Sequence, residues 1–158
     1  MMLCYLDSSA WVKRYFRELG SAWINQGFAH GILLGGSTLG LVEVTATCAR
    51  KRTAGAIDAV RFQQIEADLL DDWSGFFQME LTPDVVERSL ELARTMALRG
   101  ADSVHLASAV VLREKLAIEA KEFTFVTSDL ELKAAALKAG LAVLDPQEQA
   151  EGSAPPTA

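Results

Sequence analysis

Four acidic residues stand where a folding chain has little use for charge. Asp7 follows the apolar run Leu3-Cys4-Tyr5-Leu6, and Asp129 follows Phe123-Thr124-Phe125-Val126. Both runs read as short buried strands. Glu43 interrupts Leu39-Gly40-Leu41-Val42-Glu43-Val44, and Asp102 opens an apolar helical stretch, Val104 to Ala120. A carboxylate held against a core costs free energy unless something positive meets it. A hard divalent cation, Mg²⁺ or Mn²⁺, selects oxygen ligands and turns the mutual repulsion of clustered carboxylates into binding energy. The pattern points to metal-dependent chemistry.

Taken singly, three of the acids have local explanations. Asp7 and Asp129 sit where helix caps are needed, and Asp102 can cap its helix or favour the dipole there. Glu43 is different, because it lies inside a helix with no cationic side chain within one turn. The inference rests on the four together.

The elements that must position them alternate. The run Leu3–Leu6 leads into a helix with Ala10, Trp11 and Tyr15, capped by Asp7 or Ser8. Gly20-Ser21 restarts the chain into a short helix with Trp23, Ile24 and Phe28. A second strand spans 32–34 and ends at Gly35-Gly36. Ser37 or Thr38 caps the helix that carries Glu43 to about Arg52. An amphipathic helix follows, with Ile57, Val60, Ile65, Leu69 and Trp73 at helical spacing and the acids Asp58, Glu66, Asp68, Asp71 and Asp72 mostly on a solvated face. A third strand is expected over 76–81, then a helix started by Thr82-Pro83, the Asp102 helix, the strand 123–126, a helix stopped by Gly140 and a last strand over 141–144. Such alternation predicts a three-layer α/β/α sandwich with a central, mainly parallel sheet. Ligands then bind beyond the carboxyl ends of the strands, where Asp7 and Asp129 fall.

The 158 residues suit one domain, expected over 1–146, with 147–158 as a disordered tail containing Gly152-Ser153-Ala154-Pro155-Pro156. No apolar run is long enough to cross a membrane, and no basic region precedes Asp7, so a cytoplasmic location is the expectation. Cys4 and Cys48 lack metal-site spacing and read as core residues. The net charge is −6, which at first disfavours a nucleic-acid partner. Bound divalent cations would offset the four acids, so local charge has to decide.

The motifs Tyr5-Leu6-Asp7-Ser8-Ser9-Ala10, Leu41-Val42-Glu43-Val44, Gly100-Ala101-Asp102-Ser103-Val104-His105-Leu106-Ala107 and Phe125-Val126-Thr127-Ser128-Asp129 resemble, in order and spacing, those of the PIN-domain nucleases. The resemblance spans Leu3 to about Asp145 and is greatest to VapC-type toxins of toxin–antitoxin pairs. It implies an endoribonuclease dependent on Mg²⁺ or Mn²⁺, with catalytic and metal-ligating acids matching Asp7, Glu43, Asp102 and Asp129. Thr127 or Ser128 would supply the hydroxyl the family often has near the last acid, with Ser9 beside it. It also implies a homodimer, a cognate antitoxin partner and an RNA substrate.

Candidate phosphate contacts are Lys13, Arg14 and Arg17 after Asp7, Arg50, Lys51 and Arg52 beyond Glu43, and Arg99 before Asp102. His105, one helical turn from Asp102, reads first as a packing or hydrogen-bonding residue and second as a general acid. Two other readings stay open. One is a phosphohydrolase of the haloacid-dehalogenase kind, which needs an acid two positions after Asp7, where Ser9 stands. The other is a PIN-like module that binds without reacting.

Overall fold

The computed structural model describes residues 2–149, so most of the expected tail, 150–158, lies outside the described residues. Five strands form one sheet: β1 (Leu3–Leu6), β2 (Leu33–Ser37), β3 (Phe77–Met79), β4 (Phe123–Val126) and β5 (Ala142–Leu144). Their order is β3-β2-β1-β4-β5 and every pairing is parallel. Parallel neighbours need long crossovers, and the helices supply them. These are α1 (Ser8–Trp11), α2 (Ser21–Ala29), α3 (Thr38–Thr53), α4 (Ala59–Ser74), α5 (Pro83–Met96), α6 (Gly100–Lys115) and α7 (Leu130–Lys138).

The two faces of β1 divide the core. Leu3 and Tyr5 join Val85, Leu92, Leu106, Val110 and Leu132 from α5, α6 and α7. Cys4 and Leu6 join Trp11, Val44, Ile65 and Leu69 from α1, α3 and α4. This is the period of two that a strand imposes, and it yields the sandwich the alternation predicted. Each large apolar side chain so enclosed contributes about 1.5–3 kcal/mol relative to exposure. Both cysteines are buried and free, and burial pushes the Cys4 thiol up to about 12. Among the described residues no helix is long and apolar enough to cross a membrane.

Several boundaries differ from those expected. The second strand runs through Gly35-Gly36 to Ser37, because pairing with β1 on one side and β3 on the other outweighs the weak strand preference of glycine. The first helix is a single turn that tightens into a 3₁₀ segment over Val12–Arg14. The Asp102 helix ends at Lys115, because Ala117 turns left-handed at φ 50°. Asp58 caps α4 rather than lying on its solvated face, and Asp72 faces inward to accept from the Tyr15 hydroxyl at 2.8 Å and the Arg14 Nε at 3.1 Å.

At the described C-terminal end, Pro146–Glu148 forms a 3₁₀ turn capped by Asp145, so regular structure continues past residue 146. Its Pro146 lies over Gly20, which has φ 92°; a Cβ built there would meet Pro146 backbone carbon at 2.8 Å. Gly20→Ala therefore combines a strained backbone with a clash that no side-chain rotation relieves. It is expected to lower stability by about 1–3 kcal/mol, measured by urea unfolding.

Candidate active site

The chain places β2 and β3 on one side of β1, then crosses over to place β4 and β5 on the other. The reversal falls between β1 and β4, and the crevice beyond their carboxyl ends is the expected ligand position. Asp7 leaves β1 there, its amide still donating to the Val126 carbonyl at 3.2 Å. Thr127, Ser128 and Asp129 leave β4 beside it.

Asp7 is 2% exposed. Its Oδ1 accepts from the Ala10 amide at 2.9 Å, which caps α1, and from the Ser9 hydroxyl at 2.8 Å; its Oδ2 accepts from the Thr127 hydroxyl at 2.7 Å. Burial pushes its carboxyl above the ordinary range, while the charge of His105 and the Thr127, Ala10 and Ser9 donors pull the other way. The cap reading is met, since this carboxylate starts α1 through the Ala10 amide. Ser9 spends its hydroxyl on Asp7, so the position where a dehalogenase-type enzyme needs a second acid serves as a donor instead.

Glu43 lies in the second turn of α3, which Ser37 starts by accepting from the Gly40 amide at 3.0 Å. A Cβ at Gly40 would stand 3.2 Å from His105 Cε1, so its bareness lets α3 approach the ring. Glu43 Oε2 and His105 Nε2 are 2.6 Å apart, with the ring donating to the carboxylate. Burial raises the Glu43 carboxyl, but the His105 hydrogen bond and charge, Ser8 and Arg99 together outweigh it and hold it below its usual value. His105 is buried, and its Nδ1 faces the Tyr5 hydroxyl at 3.4 Å. The hydrogen-bonding reading of His105 fits these contacts. The partner that Glu43 lacked along its own helix comes from α6.

Asp102 is in the first turn of α6 but does not cap it; Arg99 occupies the cap position, without a capping side-chain bond. Arg99 Nε donates to Asp102 Oδ2 at 2.8 Å and its Nη2 to Asp129 Oδ2 at 3.1 Å. Asp129 Oδ1 meanwhile caps α7 through the Leu132 amide at 2.9 Å, and its own amide donates to Thr127 Oγ1 at 3.0 Å.

The acids are thus chained rather than caged. Thr127 links Asp7 to Asp129, Arg99 links Asp129 to Asp102, and His105 holds Glu43 and acts electrostatically on Asp7. Among the described residues, no three His, Cys, Asp or Glu side chains stand together as a metal-holding group. In place of the expected single convergence of four carboxylates, each meets donors or a cation of the protein, some of them shared, which relieves like-charge repulsion. The donor chemistry of carboxylate and hydroxyl oxygens still suits a hard cation.

Two of the expected phosphate contacts are structural. Lys13 is 3% exposed and pairs with Glu18 at 2.9 Å, drawn inward by the 3₁₀ winding. Arg14 is spent on Asp72 and on Asn25, and stacks over Phe28. Arg50 is exposed, and Lys51 lies over the Phe16 ring at 4.6 Å. His30 is exposed, with its Nδ1 2.7 Å from the Gln26 carbonyl of the preceding helical turn. Asp145 was missed. It is buried, directly follows β5 and accepts from the Ser128 hydroxyl at 2.8 Å. The signal that marked Asp7, an acid closing an apolar run, also marks Asp145.

No protein-family model matches the chain. Ribonuclease VapC45 and Ribonuclease VapC49, from two strains of Mycobacterium tuberculosis, are each 36% identical to it over 112 residues, covering 71% of this chain and 78% of each relative. A toxin–antitoxin complex from Klebsiella pneumoniae shares the fold, with TM-score 0.62 and 17% identity over 90% of this chain and 97% of that one. The first two similarities extend over most of both partners; the chain belongs to the VapC ribonucleases, the PIN-domain family that its motifs resemble.

Proposed function

We propose that this chain is the toxin of a toxin–antitoxin pair, an endoribonuclease that hydrolyses RNA phosphodiester bonds with Mg²⁺ or Mn²⁺ at Asp7, Glu43, Asp102 and Asp129. The observation that carries this reading is the chain of contacts joining Asp7, Asp129 and Asp102 through Thr127 and Arg99 at the β1–β4 switch point, with Glu43 held separately by His105. The relatives' name, ribonuclease, supports the substrate class.

When bound, the cation would polarise the phosphate and lower the pKa of an attacking water. The chain's own residues orient its ligands. Three donors hold Asp7 in one rotamer, His105 holds one oxygen of Glu43, and the α7 cap fixes Asp129. Such outer contacts sustain metal affinity and ligand direction. Asp7→Asn keeps the shape and removes the charge. In an assay with Mn²⁺, it is expected to lower RNA cleavage at least about 100-fold, with the fold intact by circular dichroism; cleavage at the parent rate would refute the assignment.

Arg50 and Lys51 lie in the last turn of α3, two turns beyond Glu43, Arg50 exposed and Lys51 half-buried over Phe16, and we assign them to the RNA backbone. Replacing both with Ala is expected to reduce the slope of log affinity against log salt by about 1.4 for single-stranded RNA. An unchanged slope would leave them as helix-terminal charges alone.

A hollow of about 460 Å³ lies between α3 and α4, lined by Leu41, Val42, Ala46, Ala49, Leu69 and Leu70. Val42 and Leu70 are 63% and 60% exposed, an apolar face of the kind that marks a protein partner. We assign it to the antitoxin, whose pairing with the chain would act in the cytoplasm. Leu70→Lys is expected to abolish co-elution with the antitoxin while light scattering shows the oligomeric state unchanged. Loss of a dimer instead would assign the face to a second copy.

A further inference from the structure

We propose that Arg99 is a built-in counter-cation, which holds Asp102 and Asp129 in the metal-free protein and must leave them before a divalent ion can bind. The proposal rests on the metal-dependent reading above and concerns what sets metal affinity at the same site.

One guanidinium spans two acids that come from different elements, Asp102 in α6 and Asp129 at the start of α7. Its planar fork suits that bridge, and its charge does not titrate away. The Arg99 side chain is 69% exposed, whereas those of Asp102 and Asp129 are 11% and 28% exposed. The cation is therefore attached from the solvent side and can swing out without opening the core. Its side chain is also not tied into capping α6, although Arg99 occupies the cap position. The short α5–α6 connection, through Ala97 in the left-handed conformation at φ 53°, delivers it to this position.

Arg99 and a metal ion would use the same oxygens, Oδ2 of Asp102 and Oδ2 of Asp129. Occupancy is then exclusive at those atoms, and the apparent metal affinity falls by the fraction of protein in which Arg99 is paired. In the absence of metal the guanidinium relieves the repulsion between the acids. Once displaced, it stays at the crevice edge as a cation available to a phosphate.

The test is a Mn²⁺ titration of wild type, Arg99→Ala and Arg99→Gln without RNA, read by isothermal calorimetry and by thermal unfolding. Two ion pairs with a largely exposed cation set the scale. Half-saturation is expected at about threefold to tenfold lower Mn²⁺ in both variants. Their unfolding temperature is expected to fall below wild type without metal and to gain more from Mn²⁺. Equal or weaker Mn²⁺ binding by both variants, with wild type binding normally, would overturn this proposal and leave the metal site standing. Absence of Mn²⁺ binding in wild type and both variants would overturn the metal reading, and this proposal with it.

Discussion

The carboxylate of Asp7 lies at the end of the middle strand, almost wholly out of solvent, and the chain must satisfy it there. An isolated buried carboxylate would be costly. The surroundings answer with neutral donors: a helix amide from Ala10 and two hydroxyls, one from Ser9 next door and one from Thr127, 120 residues away. That last contact requires β4 to lie beside β1 in register, Leu6 opposite Val126. The strand order and the site are therefore one constraint.

The remaining acids are met by a ring N–H and a guanidinium. Glu43 leans on His105, and the buried ring is itself seated against Tyr5, which stacks on Phe125 with centroids 5.5 Å apart. The core under the sheet thus supports the group that orients a surface-facing glutamate. Asp102 and Asp129 share Arg99, a partner exposed enough to be exchanged. The site has a rigid half around Asp7 and His105 and an exchangeable half around Arg99. On the proposed metal-dependent reading the two halves complement each other, since fixed ligands lower the ordering cost of binding and a movable charge keeps the acids compatible until it occurs.

The basic residues divide in the same way. Lys13 and Arg14 are consumed in joining the first turn to α2 and α4, where Arg14, Tyr15, Asp72 and Asn25 form a polar network over the stacked Trp11 and Trp73. The tryptophans are core and second-layer residues, as their helical spacing suggested. A net charge of −6 leaves the RNA reading to local charge, and there the exposed Arg99 pairs with both Asp102 and Asp129.

By itself the sequence determined the alternation of elements, most caps and the four acids. Each of these depends on neighbours within a few residues: apolar period, a Ser, Thr or Asp before a helix, an acid closing a strand. Only tertiary structure decided how the charges are partnered. Lys13 against Glu18, Asp72 against Arg14 and Asp145 against Ser128 look alike in sequence to exposed or terminal residues. Glu43 with His105, 62 positions apart, and Arg99 with Asp129, 30 apart, form only after the crossover brings α3, α6 and the end of β4 to one edge. Electrostatic pairing is set by distance in space and by burial, and neither can be read from spacing along the chain.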